Sequence, residues 1–137
     1  MITVEVVKTG ADAEELDELL WNALWLPLDF PREARRGFSV SGEEFELIAK
    51  RNGQIAGGLV AVWTGDTEIE LRHLAVASNA ERKGVGRSLL AELLRIAASK
   101  KCHRIRTIAR NTPVGFFGEL GFQKAQGLAP EHALQLS

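Results

Sequence analysis

Tyrosine is missing altogether from the 137 residues, and cysteine occurs once, as Cys102. A chain without tyrosine has no phenolic proton donor. A single thiol cannot close an internal disulfide or furnish a cysteine-rich zinc site, which sets aside the small secreted scaffolds held together by disulfides. Long apolar runs are missing too. The longest stretch without a charge, Asn52 to Gly65, has fourteen residues and four glycines, whereas a membrane helix needs about 20 mostly apolar residues. The opening Met1-Ile2-Thr3-Val4-Glu5-Val6 lacks the basic start and apolar stretch of a signal peptide. These absences lead to the expectation of a cytoplasmic protein with no membrane partner.

What is present suits one globular domain over residues 1–137, with 45% hydrophobic and 26% charged residues. Seventeen basic residues almost balance eighteen acidic ones. The balance conceals a split. Residues 1–70 carry fourteen acids and six bases, a net of -8, and residues 71–137 carry four acids and eleven bases, a net of +7. A basic half favours a polyanionic ligand, and an acidic half favours a different, cationic partner.

The hydrophobic pattern predicts a strand over Ile2 to Lys8, then a helix over Ala13 to Trp25 capped by Asp12 and stopped by Pro27. A short second helix is expected over Asp29 to Arg36, and a loop over Phe38 to Gly42. Strands follow at Glu44 to Lys50 and Ile55 to Trp63, joined at Asn52-Gly53, a pair suited to the positive φ angles of a tight hairpin. Thr67 to Val76 reads as a third strand of this meander. Simple alternation puts Ile69, Leu71, His73 and Ala75 on one face, and Glu68, Glu70, Arg72, Leu74 and Val76 on the other. After a polar loop at Ser78 to Lys83, Val85 to Lys100 has helical spacing. A strand at Arg104 to Ala109, a helix capped by Thr112, a strand at Phe122 to Ala125 and a last short strand at His132 to Leu136 complete the chain. The fold class is α/β, with a mixed, mostly antiparallel central sheet flanked by helices.

Chemistry is concentrated where the third strand passes into the long helix. Gly84 and Gly86 let a ligand approach the backbone closely at a helix N-terminus, where unpaired N–H groups and the helix dipole favour an anion. Arg82, Lys83 and Arg87 surround them, so a pyrophosphate is the expected occupant. Taken alone, the two glycines are read equally well as the end of a loop. The third glycine of a dinucleotide fingerprint is absent, and no Gly-Lys-Ser/Thr follows as in a Walker loop.

Leu74-Ala75-Val76, Gly84-Val85-Gly86, Asn111 and Glu119-Leu120-Gly121-Phe122, in that order, resemble the motifs of the GCN5-related N-acetyltransferase (GNAT) superfamily. The resemblance runs from Glu68 to Phe122 by motif and along nearly the whole chain by element order. It implies the GNAT-like acyl-CoA N-acyltransferase fold, with acetyl-CoA as acetyl donor and a small-molecule or peptide amine as acceptor. It further implies that the pyrophosphate lies on Arg82, Lys83, Gly84, Val85, Gly86, Arg87 and Ser88. Pantetheine would pair with the strand edge at Leu74, Ala75 and Val76 and meet Asn111, whose other reading is a helix cap. Two positions depart from the family pattern. Glu81 stands where glutamine or arginine is usual, and Phe117 where many members have a tyrosine that protonates the departing thiolate. Phe117 would instead wall the cofactor.

Acetyl transfer to an amine needs a base. Glu70 matches the glutamate base of the histone-acetylating branch, and its alternative reading is a surface carboxylate paired with a cation such as Arg72. His73 is the second candidate. Alternation sets it on the opposite face from Glu70, which favours a core-edge histidine. Cys102 and His103 are sequence neighbours and poorly disposed to act as a nucleophile pair. Arg104 and Arg106 read as a solvated face or an attraction for CoA phosphates, not as a nucleic-acid surface, because no aromatics interleave with them. Trp21, Trp25, Trp63 and Phe30 are read as core packing or as a lining of the acceptor side. A non-catalytic acyl-CoA-binding sensor is the alternative function, no metal is expected, and the oligomeric state is left open, a homodimer completing the sheet or cleft being one option.

Overall fold

β-branched residues open the chain and form an edge strand, β1 (Ile2–Val6). The computed structural model describes residues 2–32, 43–64, 68–80, 84–100, 102, 104–108, 123–124 and 133–136. The expected second helix, the loop at Phe38 to Gly42 and the helix capped by Thr112 fall wholly or largely outside them. The other described strands are β2 (Glu43–Arg51), β3 (Gln54–Trp63), β4 (Glu68–Val76), β5 (Arg104–Ile108), β6 (Gln123–Lys124) and β7 (Ala133–Leu136). They form one sheet in the order β1-β2-β3-β4-β5-β7-β6. Every neighbouring pair is antiparallel except β4 and β5, whose parallel crossover contains helix α2 (Val85–Ser99). The β2–β3 hairpin turns at Asn52 (φ 56°) and Gly53 (φ 78°), as the Asn-Gly pair predicts.

Helix α1 (Gly10–Leu20) begins earlier than its sequence pattern suggests. Its cap is Thr9, whose hydroxyl accepts the Asp12 N–H at 3.1 Å, and not Asp12 itself. The Asp12 carboxylate accepts from Lys50 Nζ at 3.0 Å and ties the helix to β2. Nor does the helix run unbroken to Trp25. Residues Trp21–Trp25 widen into a π turn, and Leu26–Leu28, with Pro27 inside, tighten into a 3-10 turn that ends at Asp29 (φ 60°). The π turn has a packing consequence. Leu16 and Leu20 are fully buried four residues apart, but the next fully inward side chain is Trp25, five residues on. An inserted residue of this kind re-aims a helix face.

Helices cover both faces of the sheet. Val85, Leu89, Leu90, Leu93 and Ala97 of α2 pack against Leu47, Ala49, Leu59, Ala61, Ile69, Leu71, Leu74 and Ile105. On the other face Leu16, Leu20 and Trp25 pack against Val60 and Ala75. Gly57 and Gly58 lie under the two helices. A Cβ on Gly57 would stand 2.6 Å from Val85 Cγ1 and 2.9 Å from the Ala75 carbonyl oxygen, and one on Gly58 would strike Leu16 Cδ1. Each helix therefore sits directly on the backbone of β3. No helix among the described residues is long and apolar enough to cross a membrane.

Candidate active site

The site takes shape from two features of β4. The first is a bulge. Ala61 pairs with Leu71 and Val60 with His73, so Arg72 is an extra residue opposite β3. Before it, Ile69 and Leu71 face α2. After it, Leu74 and Val76 face α2, while Ala75 joins the α1 core and His73 meets Trp25 with ring centroids 4.9 Å apart in a T-shaped contact. Glu70 pairs with Val62 and His73 with Val60, two α1-side positions of β3. The strict alternation expected from the sequence is thus corrected. His73 and Glu70 share the α1 face, because one unpaired residue reverses the pleat between them.

The second feature is the end of the described ladder with β5. The β4–β5 ladder runs only from Glu68 and Arg104 to Leu71 and Thr107. Beyond it, Leu74, Ala75 and Val76 pair with Leu59, Gly58 and Gly57 of β3 and with no described strand on their other side. Helix α2 starts beside this edge. Val85 is buried against Gly57, the register partner of Val76. Gly84 holds the cap position at φ 83°, a conformation that costs an L side chain energy. Having no side chain, it leaves the first N–H groups of α2 uncapped by a side chain. Ser88 is the first residue to donate back along the helix, to Gly84 O at 3.0 Å. Arg87 is exposed in the first turn and makes no ion pair with another described residue. The arrangement sets the end of β4, paired on one side only among the described residues, next to a helix N-terminus with a neighbouring cation.

Ion pairs define the α1 face. Glu70 Oε2 lies 3.3 Å from Arg72 Nη1, with both side chains about one-fifth exposed (21% and 19%). Glu68 faces Arg106 Nη1 at 3.0 Å and Arg104 Nη1 at 4.0 Å. Much of the sequence-level charge split is therefore cancelled locally, as second-half arginines meet first-half glutamates. Arg104 and Arg106 belong to this face and not to the helix N-terminus.

A family profile described as Acetyltransferase (GNAT) family matches residues 11–122. The chain belongs to this acetyltransferase family. Among solved structures, Tetrahymena GCN5 superposes with a TM-score of 0.78 at 17% identity, covering 98% of this chain and 94% of that one. The Escherichia coli ribosomal-protein-S18-alanine N-acetyltransferase gives 0.77 at 18% identity, with 99% and 93% covered. PaiA N-acetyltransferase from Thermoplasma acidophilum, in complex with coenzyme A, gives 0.73 at 17% identity, with 98% and 99% covered. At these identities the likeness establishes a shared GNAT fold.

Within this GNAT domain Leu74, Ala75, Val76, Gly84, Val85, Gly86, Arg87 and Ser88 come together at the end of β4 and the start of α2. Arg82, Lys83, Asn111 and Phe117 lie outside the described residues. The aromatic residues divide. Trp25 is core, and Trp21 donates from Nε1 to Phe30 O at 3.1 Å. Trp63 is on the α2 side, beside Phe45 and under Lys100 Nζ at 5.5 Å. Cys102 packs against the α2 core, its thiol donating to Arg104 O at 3.2 Å. Sequence reasoning passed over Gly57-Gly58, although glycines inside a strand pattern signal close backbone approach. The bulge at Arg72 left its own signal, the adjacent polar pair Arg72-His73 that shifts the apolar phase from Ile69 and Leu71 to Leu74 and Val76.

Proposed function

We propose that this protein is an acetyl-CoA-dependent N-acetyltransferase acting on a primary amine of a small molecule or peptide. The observation that carries this reading is the start of α2, uncapped by any side chain, set against the end of β4 in a chain of the acetyltransferase family. The N–H groups of Val85, Gly86 and Arg87 suit a pyrophosphate, with Arg82, Lys83 and Ser88 completing the cradle. The edge at Leu74 to Val76 suits an amide-bearing pantetheine arm added as a strand. Asn111 and Phe117 belong to the same cofactor side by family position. A backbone N–H near Val76 would stabilise the oxyanion of the tetrahedral intermediate.

Glu70 is the proposed base for the amine, directly or through water, with acceptor and donor meeting in one complex. No tyrosine exists to protonate the thiolate, so it departs unassisted or takes its proton from water or from the acylated nitrogen. Calorimetric binding of CoA, followed by thiol release from acetyl-CoA across a panel of amines, tests the reading. Failure to bind CoA would overturn it. One rival is favoured by specific observations. The missing tyrosine and the Glu70–Arg72 contact suit an acyl-CoA-binding module without transfer, which predicts CoA binding but no thiol release with any amine.

A further inference from the structure

We propose that His73 is the residue on which the acceptor's proton comes to rest, with Glu70 drawing that proton from the ammonium. This rests on the reading of the cleft beside β4 as the acetyl-transfer site. The supporting observation is the bulge. Without Arg72 as an extra residue, His73 would face α2 and Glu70 would face α1. With it, the two share the α1 face, three residues apart, opposite Val62 and Val60 with the Ala61–Leu71 row between them. Trp25, brought inward by the π turn, rests in an edge contact on the imidazole and fixes its position.

The chemistry explains why a second group is useful. An alkylammonium must lose a proton before its nitrogen can attack. A carboxylate with an ordinary value near 4.3 holds that proton poorly at neutral pH, whereas an imidazole near 6.5 holds it about a hundredfold better. The balance is as follows. One ammonium proton passes through Glu70 to the imidazole and then to solvent. The neutral nitrogen forms a bond to the thioester carbonyl carbon, and the C–S bond breaks. The second proton on that nitrogen goes to the departing sulfur.

Other charges on this face are Arg72 and Glu68 on β4, Arg104 and Arg106 on β5, and Glu44 and Glu46 on β2, by register with Val62 and Val60. Above it, α1 presents Leu16 and Leu20, and Trp21–Trp25 contains no charged residue.

The test is the pH dependence of turnover on an amine that the wild-type enzyme acetylates. Turnover falls on the acid side, with the limb in the range where imidazoles and not carboxylates titrate. In His73→Gln that limb moves toward the carboxylate range, turnover at pH 7 falls by roughly 10- to 100-fold, and the KM for acetyl-CoA is unchanged. If His73→Gln does not fold, NMR titration of the wild-type imidazoles decides. The ring shifted by Trp25 must titrate at the midpoint of the limb. A limb retained in His73→Gln, or an imidazole that titrates elsewhere, overturns the role of His73 and leaves Glu70 as base. No turnover by the wild-type protein on any amine overturns the acetyl-transfer reading itself, and this role with it.

Discussion

On the α2 side of the sheet, a continuous apolar core joins four strands to one amphipathic helix. On the α1 side, a smaller core around Leu16, Leu20 and Trp25 gives way to Glu68, Glu70, Arg72, His73 and two arginines of β5. The difference teaches how a small domain separates a packed apolar face from a charged one. The α2 side places a helix N-terminus against the end of β4, and its geometry is fixed by packing. On the α1 side, titratable groups lie on a strand whose bulge decides which of them meet. The two sides share β3 and β4, so substitutions on those strands separate their contributions.

The largest expected effect is on the charged side. Glu70→Gln should lower turnover by about 10²- to 10⁴-fold, the usual contribution of a positioned base, while calorimetric CoA affinity stays within a factor of two or so. Unchanged turnover would sink the proposed role of Glu70. The charged side would then be reduced to ion pairing.

Adjacent glycines allow a sharper comparison. Gly57→Ala pushes a methyl toward Val85 and the Ala75 carbonyl, and Gly58→Ala pushes one into Leu16. Both should destabilise the fold by about 1–3 kcal/mol through overpacking, measured by urea denaturation. Their ligand effects should differ. Gly57→Ala displaces the start of α2 and should weaken CoA binding several-fold beyond what unfolding explains. Gly58→Ala displaces α1 and should leave CoA affinity nearly intact. Equal effects on CoA would mean that the two sides are not separable.

The sequence disclosed much of this architecture and little of its decisive local geometry. Periodic Leu89, Leu93 and Ala97 announced α2, Asn52-Gly53 announced the hairpin, and Gly84 announced the start of α2. Such features depend on neighbours in the chain. The bulge at Arg72 does not. Alternation from Ile69 and Leu71 breaks at the polar pair Arg72-His73 and resumes out of phase at Leu74 and Val76, but only pairing with β3 shows that Arg72 is the residue left over. Trp25 is a similar case. Helical spacing from Leu16 and Leu20 points to Leu24, but the π turn delivers Trp25. Where non-local pairing chooses between two registers, one sequence carries no visible preference.

A smaller effect probes the helix start. Arg87 is exposed in the first turn of α2, so its attraction for a pyrophosphate acts through solvent. Arg87→Ala should weaken CoA binding about three- to tenfold at low salt, with the difference shrinking toward 1 M salt, where the Debye length falls to about 3 Å. A salt-independent loss would point to a packing role instead.

The smallest effect concerns the tie between α1 and β2. The Asp12 carboxylate accepts a hydrogen bond from Lys50 and raises the lysine's pKa, its charge adding to the effect. A raised lysine pKa in the folded state means that folding favours the protonated form. The contribution is therefore fully present below the unfolded value of about 10.4 and fades as pH rises through the higher folded value. Lys50→Gln should lower the melting temperature slightly at pH 7, and the gap from wild type should close in strongly alkaline buffer. CoA affinity should not change, because this contact anchors α1 at the β2 side of the sheet, away from the end of β4 and the start of α2. A gap that persists above the raised lysine value would assign the stabilisation to packing of the lysine stem along α1, since the methylenes remain when the charge is lost.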